Sequence, residues 1–300
     1  MEITTILTVK NVARQYDKGI YIEVEHLDIP KGFSVALIGE NGAGKTSLLR
    51  LLSGIDRKIL NSSGYSMGEI YYFDNEKNFE AIQNNIGYVS SHNYFLHSWT
   101  LNSMGDANEL LYDNFSKKKY EALCDEWGLN EKKKRILTFS DGMKMKAALA
   151  SAFARDTKLL LLDEPTSPLD PLARTKFCEH LRTYIDEGDG ERSVLFSTHN
   201  IADMENATDY AIFIANGKIA EAGFVEDLKE KYILVKGEPH EAKKAKELLM
   251  GFESNDYGYE GLCEASNLDK LAGLDIATET PTLSQISVAI IKNESEKPLL

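Results

Sequence analysis

Ile20, Ile22 and Val24 alternate with Tyr21, Glu23 and Glu25, the period-2 signature of a strand buried on one face. A Pro30–Lys31–Gly32 turn leads into residues 33–38, an apolar run of strand length, and a glycine-rich loop follows. Residues 46–52 then carry apolar side chains at helical spacing, so the local order is strand, loop, helix. Residues 71–73 and 86–89 predict further strands, separated by a polar stretch whose weak periodicity predicts a loop. Helical spacing takes over between about residues 100 and 156. There Tyr120, Leu123, Cys124 and Trp127 form one apolar stripe, with Lys117, Lys118 and Lys119 on its flank. Residues 159–162 and 193–196 are near-continuous apolar runs, as in parallel strands covered on both faces, and a helical segment over 171–185 joins them into a βαβ unit. Residues 210–214 and 218–222, linked by Asn216–Gly217, predict a hairpin with a type I′ turn.

The core is predicted to end near Gly223. A charged run over 238–247 and a Gly/Asn/Tyr-rich stretch over 255–261 come next, then Leu283, Ile286 and Ile290 at helical spacing after the start signal Thr280–Pro281–Thr282. These residues predict a small α+β appendage. No internal repeat or low-complexity tract is visible.

Composition narrows the class. The chain has 300 residues, 43% hydrophobic, which is enough for one large domain with an appendage and argues against intrinsic disorder. No run approaches the ~18 apolar residues of a membrane-spanning helix. The start Met1–Glu2–Ile3–Thr4–Thr5 lacks the basic and apolar regions of a secretory signal, so a cytoplasmic location is the expectation. Cys124, Cys178 and Cys263 are widely spaced and outside any CxxC pattern, which predicts reduced, structural thiols. With 47 Asp+Glu against 34 Lys+Arg the net charge is −13, a poor match to nonspecific nucleic-acid or anionic-lipid binding. The basic run Lys132–Lys133–Lys134–Arg135 reads as a solvated loop. A phosphate-bearing ligand therefore needs a local device.

Gly39–Glu40–Asn41–Gly42–Ala43–Gly44–Lys45–Thr46 supplies one, matching Gx4GK[ST] in full between a predicted strand and a predicted helix. Its backbone N–H groups and the helix amino terminus give partial positive charge, with Ser47 in the first turn. Lys45 would neutralise β- and γ-phosphate oxygens, and the Thr46 hydroxyl would ligate Mg²⁺. A second metal-holding carboxylate is needed, and Asp163 follows the apolar run 159–162 where it belongs. Glu164 comes next, positioned to orient or polarise an attacking water.

At this point the chain resembles the nucleotide-binding subunits of ATP-binding-cassette (ABC) transporters over about residues 1–225. Besides the P-loop and Leu162–Asp163–Glu164–Pro165, it carries Ser167–Pro168–Leu169–Asp170 at the D-loop position and Ser197–Thr198–His199 at the switch-histidine position. Ser140–Asp141–Gly142–Met143 resembles the family signature, usually Leu-Ser-Gly-Gly-Gln, and Tyr16 lies where the family stacks an aromatic on adenine. The resemblance implies ATP and Mg²⁺ as cofactors, His199 as a γ-phosphate sensor, and Ser140 and Gly142 acting across a sandwich dimer on the partner's ATP. It also implies a second nucleotide-binding subunit, identical or related, and a separate transmembrane permease holding the chain at the cytoplasmic face of the membrane. The fold expected is α/β: a P-loop NTPase (RecA-like) mixed sheet with an N-terminal antiparallel β part and a helical subdomain inserted over about 95–156. Residues 1–225 would be the nucleotide-binding domain and 226–300 a C-terminal accessory region.

Two departures stand out. Gly87–Tyr88–Val89–Ser90–Ser91 replaces the usual Gly-Tyr-Val-Pro-Gln, so Ser91, with His92 next, stands where the metal-contacting and coupling glutamine belongs. A serine is too short to span the same distance, which leaves water, His92 or another group to fill the gap. Asp141 replaces the first signature glycine and is expected to turn away from phosphate toward Lys144. The serine at the glutamine position, the Gly142–Met143–Lys144 form of the signature helix and the Pro281–Thr282–Leu283 start of the last helix resemble bacterial exporters of drugs, antimicrobial peptides or lipids. The alternatives are a soluble ABC ATPase acting on nucleic acid, ribosome or an assembly complex, and a weakly hydrolysing regulatory module.

Overall fold

The computed structural model describes residues 4–15, 21–55, 66–92 and 95–295. Tyr16 and Ile20, both named above, lie outside the described residues. Among the described residues nine strands form one sheet: Thr5–Gln15 (β1), Tyr21–Pro30 (β2), Ser34–Ile38 (β3), Ser66–Tyr72 (β4), Ile86–Val89 (β5), Leu159–Leu162 (β6), Ser193–Thr198 (β7), Tyr210–Ala215 (β8) and Lys218–Phe224 (β9), in the order β4-β1-β2-β9-β8-β3-β7-β6-β5. From β8 to β5 neighbours are parallel, while the β8–β9, β1–β2 and β1–β4 pairs are antiparallel. The mixed α/β fold expected from the sequence is thus present, with its antiparallel part continuous with the parallel core through β2 and β9.

Alternation explains why β3 and β6 are apolar at nearly every position. Val35, Leu37, Leu159 and Leu161 face a cluster with Leu48, Leu49 and Leu52 of the P-loop helix Lys45–Leu52. Ala36, Ile38, Leu160 and Leu162 face the opposite cluster with Phe153 and Phe177. Helices therefore cover both faces, and each buried leucine contributes about 1.5–3 kcal/mol. Strand β1 escaped the sequence reading because its alternation is interrupted. Ile6 and Leu7 are both buried, the register shifts between Thr5 and Leu7 and again between Lys10 and Ala13, and Asn11 has φ 51°. The strand expected over 71–73 instead ends at Tyr72, because Phe73, Asp74 and Asn75 all have positive φ and turn the chain. The polar stretch read as a loop contains the short helix Phe79–Asn84, capped by Asn78 Oδ1, which accepts the Glu80 N–H at 2.9 Å.

Helices Leu101–Leu111, Lys117–Glu126 and Asp141–Phe153 form the helical part, and Tyr120, Leu123, Cys124 and Trp127 are all buried, as their spacing predicts. Burial pushes the Cys124 thiol up to about 11, and all three cysteines are free. Lys132 and Lys134 pair with Asp125 and Glu131.

Past helix Val225–Lys231, strands Tyr232–Gly237 (β10), Met250–Asn255 (β11), Gly258–Glu264 (β12) and Ile276–Glu279 (β13) make a second, antiparallel sheet, β11-β12-β10-β13. The terminal helix Leu283–Ser295 begins at Thr282, whose hydroxyl accepts the Gln285 N–H at 3.2 Å while Gln285 Oε1 accepts the Thr282 N–H at 2.9 Å. Glu205, from the loop after β7, accepts the Leu283 N–H at 3.1 Å and pairs with Lys229 at 2.7 Å. Leu283, Ile286, Ala289 and Ile290 are buried in the same cluster as Phe196 and Phe213 of the main sheet. Among the described residues no helix is long and apolar enough to cross a membrane.

Candidate functional site

The P-loop leaves β3 at Gly39 and enters its helix at Gly44, which has φ 106° and precedes Lys45 as the N-cap. That left-handed backbone suits glycine, and a Cβ there would stand 2.3 Å from Ile22 Cδ1. The loop closes on itself through Ala43 N–H to Glu40 O at 3.2 Å. It is braced from outside by the β8–β9 turn, where Gly217 donates to Ala43 O at 3.0 Å and accepts from Glu23 N–H at 2.8 Å. Asn216 and Gly217 have φ 50° and 76°, the type I′ geometry their sequence predicts. Asn41 and Gly42 are exposed at the loop crest, and Ser47 is half-buried in the first turn of the helix.

Lys45 turns back along the loop and is only 6% exposed; its Nζ donates to Gly39 O at 2.8 Å and Glu40 O at 3.1 Å and sits 3.3 Å from Glu164 Oε1. Glu164 Oε2 lies 2.9 Å from His199 Nδ1. One carboxylate thus stands between the P-loop lysine and the histidine after β7. Glu164 Oε1 is buried without a hydrogen bond, because the Lys45 contact is charge proximity only. Glu164 also has φ 49°, a conformation that costs of order 1–3 kcal/mol for a non-glycine residue. Its amide donates to Ser197 Oγ at 2.9 Å, which helps hold that conformation.

Asp163, fully buried at the end of β6, collects hydroxyls. Thr46 Oγ1 lies 3.1 and 2.9 Å from its two carboxylate oxygens, Ser197 Oγ donates to Oδ1 at 2.7 Å, and Ser91 Oγ donates to Oδ2 at 2.9 Å. Ser91 thus meets the carboxylate expected to hold the metal, a contact its position in the motif did not announce. The chain after β5 runs close enough to β6 for the short side chain to touch Asp163 directly.

The signature helix Asp141–Phe153 is capped by Ser140, whose Oγ accepts the Met143 N–H at 3.3 Å. Asp141 points to solvent, 87% exposed, and Lys144 Nζ donates to it at 3.1 Å, as the sequence reading expects. Gly142 is needed for close approach, since a Cβ there would stand 2.8 Å from the Pro168 carbonyl oxygen. Beyond Pro168, Asp170 caps helix Pro171–Asp186, and the Ala173 N–H followed by Lys146 holds its carboxyl below the usual range. A cleft of about 610 Å³ is bordered by Asn41, Ser91, Asp141, Lys144, Glu164 and His199, so the start of the signature helix and the P-loop crest open onto one space. The adenine-stacking role expected of Tyr16 lies outside the described residues.

One carboxylate and one hydroxyl beside a phosphate-type loop are hard oxygen donors suited to Mg²⁺, which keeps phosphate and water ligands rather than an all-protein cage. Among the described residues no cluster of His, Cys, Asp or Glu large enough to hold a metal alone is present. The residues present therefore fit MgATP. Motif reading missed two supports, the Ser197 bridge between Asp163 and Glu164 and the Gly217 brace. The signal for Ser197 was a hydroxyl ending an apolar buried strand, where it must find a partner.

Comparison with known proteins agrees with this geometry. A family model described as ABC transporter matches residues 23–167. YxlF of Bacillus subtilis, an uncharacterised ABC transporter ATP-binding protein, is 31% identical, the match spanning 75% of this chain and 73% of that protein. SrtF of Streptococcus pyogenes, a lantibiotic transport ATP-binding protein, is 30% identical over 71% of this chain and 89% of its own length. CysA of Mesorhizobium japonicum, a sulfate/thiosulfate import ATP-binding protein, is 29% identical over 73% and 64% of the two chains. A solved structure of an ATP-binding subunit of an ABC transporter superposes with TM-score 0.64 at 26% identity, covering 75% of this chain and 92% of that one. The motifs, the sheet that presents them and these relatives lead to one conclusion: the chain belongs to the ABC transporter ATP-binding protein family.

Proposed function

We propose that this chain binds and hydrolyses ATP to drive export through a separate membrane permease, working as a head-to-tail pair with a second nucleotide-binding subunit. The observation that carries the reading is the convergence on one cleft: Asp163 gathers the Thr46 and Ser91 hydroxyls, and Glu164 stands between Lys45 and His199.

Thr46 and Asp163 would hold Mg²⁺, which supplies charge neutralisation on the phosphates when bound. Lys45, already aimed along the loop, exchanges carbonyl and carboxylate partners for phosphate oxygens, and this releases Glu164. Glu164 then accepts a proton from the attacking water, while His199 steadies it and contacts the terminal phosphate. Ser140 and Gly142, at the exposed amino terminus of the signature helix, present N–H groups to the partner's nucleotide. The coupling path to the permease begins at Ser91 and continues along the segment to Trp99, within which residues 93–94 lie outside the described set.

Export is favoured by the lantibiotic transport relative and by the serine at the glutamine position, while the sulfate import relative makes direction the point to test. The test is to purify the full chain from solubilised membranes, identify the bound membrane protein by mass spectrometry and assay transport in inside-out vesicles. ATP-dependent accumulation inside the vesicles supports export. Recovery with ribosomes and no membrane protein overturns the transporter reading, and ATP-dependent loss of preloaded solute reverses its direction.

A further inference from the structure

The three hydroxyls that reach Asp163 are not equally constrained. Thr46 is fixed in the first turn of its helix, and Ser197 lies in β7, where it accepts the Glu164 N–H at 2.9 Å while donating to Asp163 at 2.7 Å. Ser91 stands in the chain beyond β5, outside any regular element, and needs another device to fix its direction. His92 Nδ1 lies 3.2 Å from Ser91 Oγ. The backbone is set for this contact, because the His92 N–H donates to Ser90 Oγ at 3.2 Å and tightens the turn Ser90–Ser91–His92.

Counting protons fixes the roles. A serine hydroxyl has one proton, and Ser91 gives it to Asp163 Oδ2 at 2.9 Å. Ser91 Oγ can then meet His92 only as an acceptor, so His92 carries its proton on Nδ1 and donates. The chain of donors is His92 Nδ1–H to Ser91 Oγ–H to Asp163 Oδ2, the same relay form as Glu164 N–H to Ser197 Oγ–H to Asp163 Oδ1. Each carboxylate oxygen is met by a hydroxyl that is itself held by an N–H group.

We propose that His92 is a positioning residue for Ser91, and that the pair ties the segment after β5 to the Asp163 carboxylate. Movement of that segment breaks or makes a hydrogen bond at Asp163 through His92. This rests on the reading of Asp163 as the metal-holding carboxylate, but the relay exists in the chain by itself.

The first test is ¹⁵N NMR of the imidazoles of the full chain, recorded well above the ~6.5 of an ordinary histidine and assigned with His92→Gln. His92 is expected to show a pyrrole-like Nδ1, shifting toward the Nε2–H form in Ser91→Ala. A pyridine-like Nδ1 in the unaltered chain overturns the proposal whatever the ATPase activity. The second test is a double-mutant cycle with MgATP binding titrated against Mg²⁺. His92→Ala is expected to weaken Mg²⁺-dependent binding about five- to tenfold, and to have no further effect in a Ser91→Ala background. His92→Asn, which keeps an amide donor near the Nδ1 position, is expected to restore most of it, whereas His92→Gln is not. Additive effects of the two alanine changes, or equal rescue by Asn and Gln, overturn the positioning role. If the NMR signature is present while MgATP does not bind the unaltered chain, the relay stands and the functional reading fails.

Discussion

The Lys45 ammonium lies 3.3 Å from Glu164 Oε1, so the group expected to neutralise phosphate and the group expected to take a proton from water begin as partners. In the proposed reaction, nucleotide binding separates them. Glu164→Gln is expected to retain MgATP binding and to lower steady-state hydrolysis by roughly 10²–10⁴-fold, the usual contribution of a positioned general base. Unchanged turnover in that variant, followed by phosphate release, would remove Glu164 from the role. Lys45→Ala is expected to cost about 1.5–3 kcal/mol of nucleotide affinity, the value of charge-assisted hydrogen bonds, read by calorimetry.

Ser197 serves both acidic residues at once, accepting from the Glu164 amide and donating to Asp163. Ser197→Ala leaves a buried carboxylate oxygen short of a donor and an amide unpaired in a left-handed residue. A loss of about 1–3 kcal/mol in urea unfolding is expected, together with reduced turnover. A variant as stable and active as the parent would mean that water replaces the hydroxyl at no cost.

Glu205 gives a dependence on pH. Burial raises its carboxyl, but Lys229 and the Leu283 N–H outweigh that and hold it below its ordinary value of 4.5. The folded form therefore binds its proton less readily than the unfolded chain. The contribution is present in full above about 4.5 and is lost as pH falls through the lower folded value. Glu205→Gln is expected to lower the melting temperature at neutral pH by an amount matching about 1 kcal/mol, and to leave a smaller difference from the parent below pH ~4. A constant difference across the range would place the effect elsewhere.

Gly142 touches the backbone of Pro168, so Gly142→Ala forces the D-loop and the signature helix apart. Overpacking of this kind costs about 1–3 kcal/mol. ATP-dependent pairing of subunits, followed by light scattering in a Glu164→Gln background, is expected to weaken at least tenfold if both elements face the partner. Undiminished pairing would separate this contact from the dimer surface.

Much of this site was legible because its chemistry sits at strand ends. Apolar runs such as Leu159–Leu162 mark the buried strands, and the polar residue that follows each run, Asp163 or His199, is delivered to one edge of the sheet. The β1 strand was not legible, because its register shifts and Asn11 break the alternation on which periodicity depends. Nor was the contact between Ser91 and Asp163. Side-chain length is visible in a sequence, but the distance between β5 and β6, which decides whether that length suffices, is set by backbone pairing. The Gly217 brace was half-legible: Asn216–Gly217 announced a turn, yet nothing local said that its amide would meet Ala43.

The terminal helix gives the order of synthesis a physical meaning. Every nucleotide-binding motif has left the ribosome once His199 has emerged, but Leu283, Ile286, Ala289 and Ile290 fill the same apolar cluster as Phe196 and Phe213. Until those side chains arrive, the face of β8 and β9 that they cover is open to water. A nascent chain stalled near residue 225 would thus display a complete set of motifs on an unsealed core and invite chaperone capture. Docking of this helix seals that part of the core in time as well as in space.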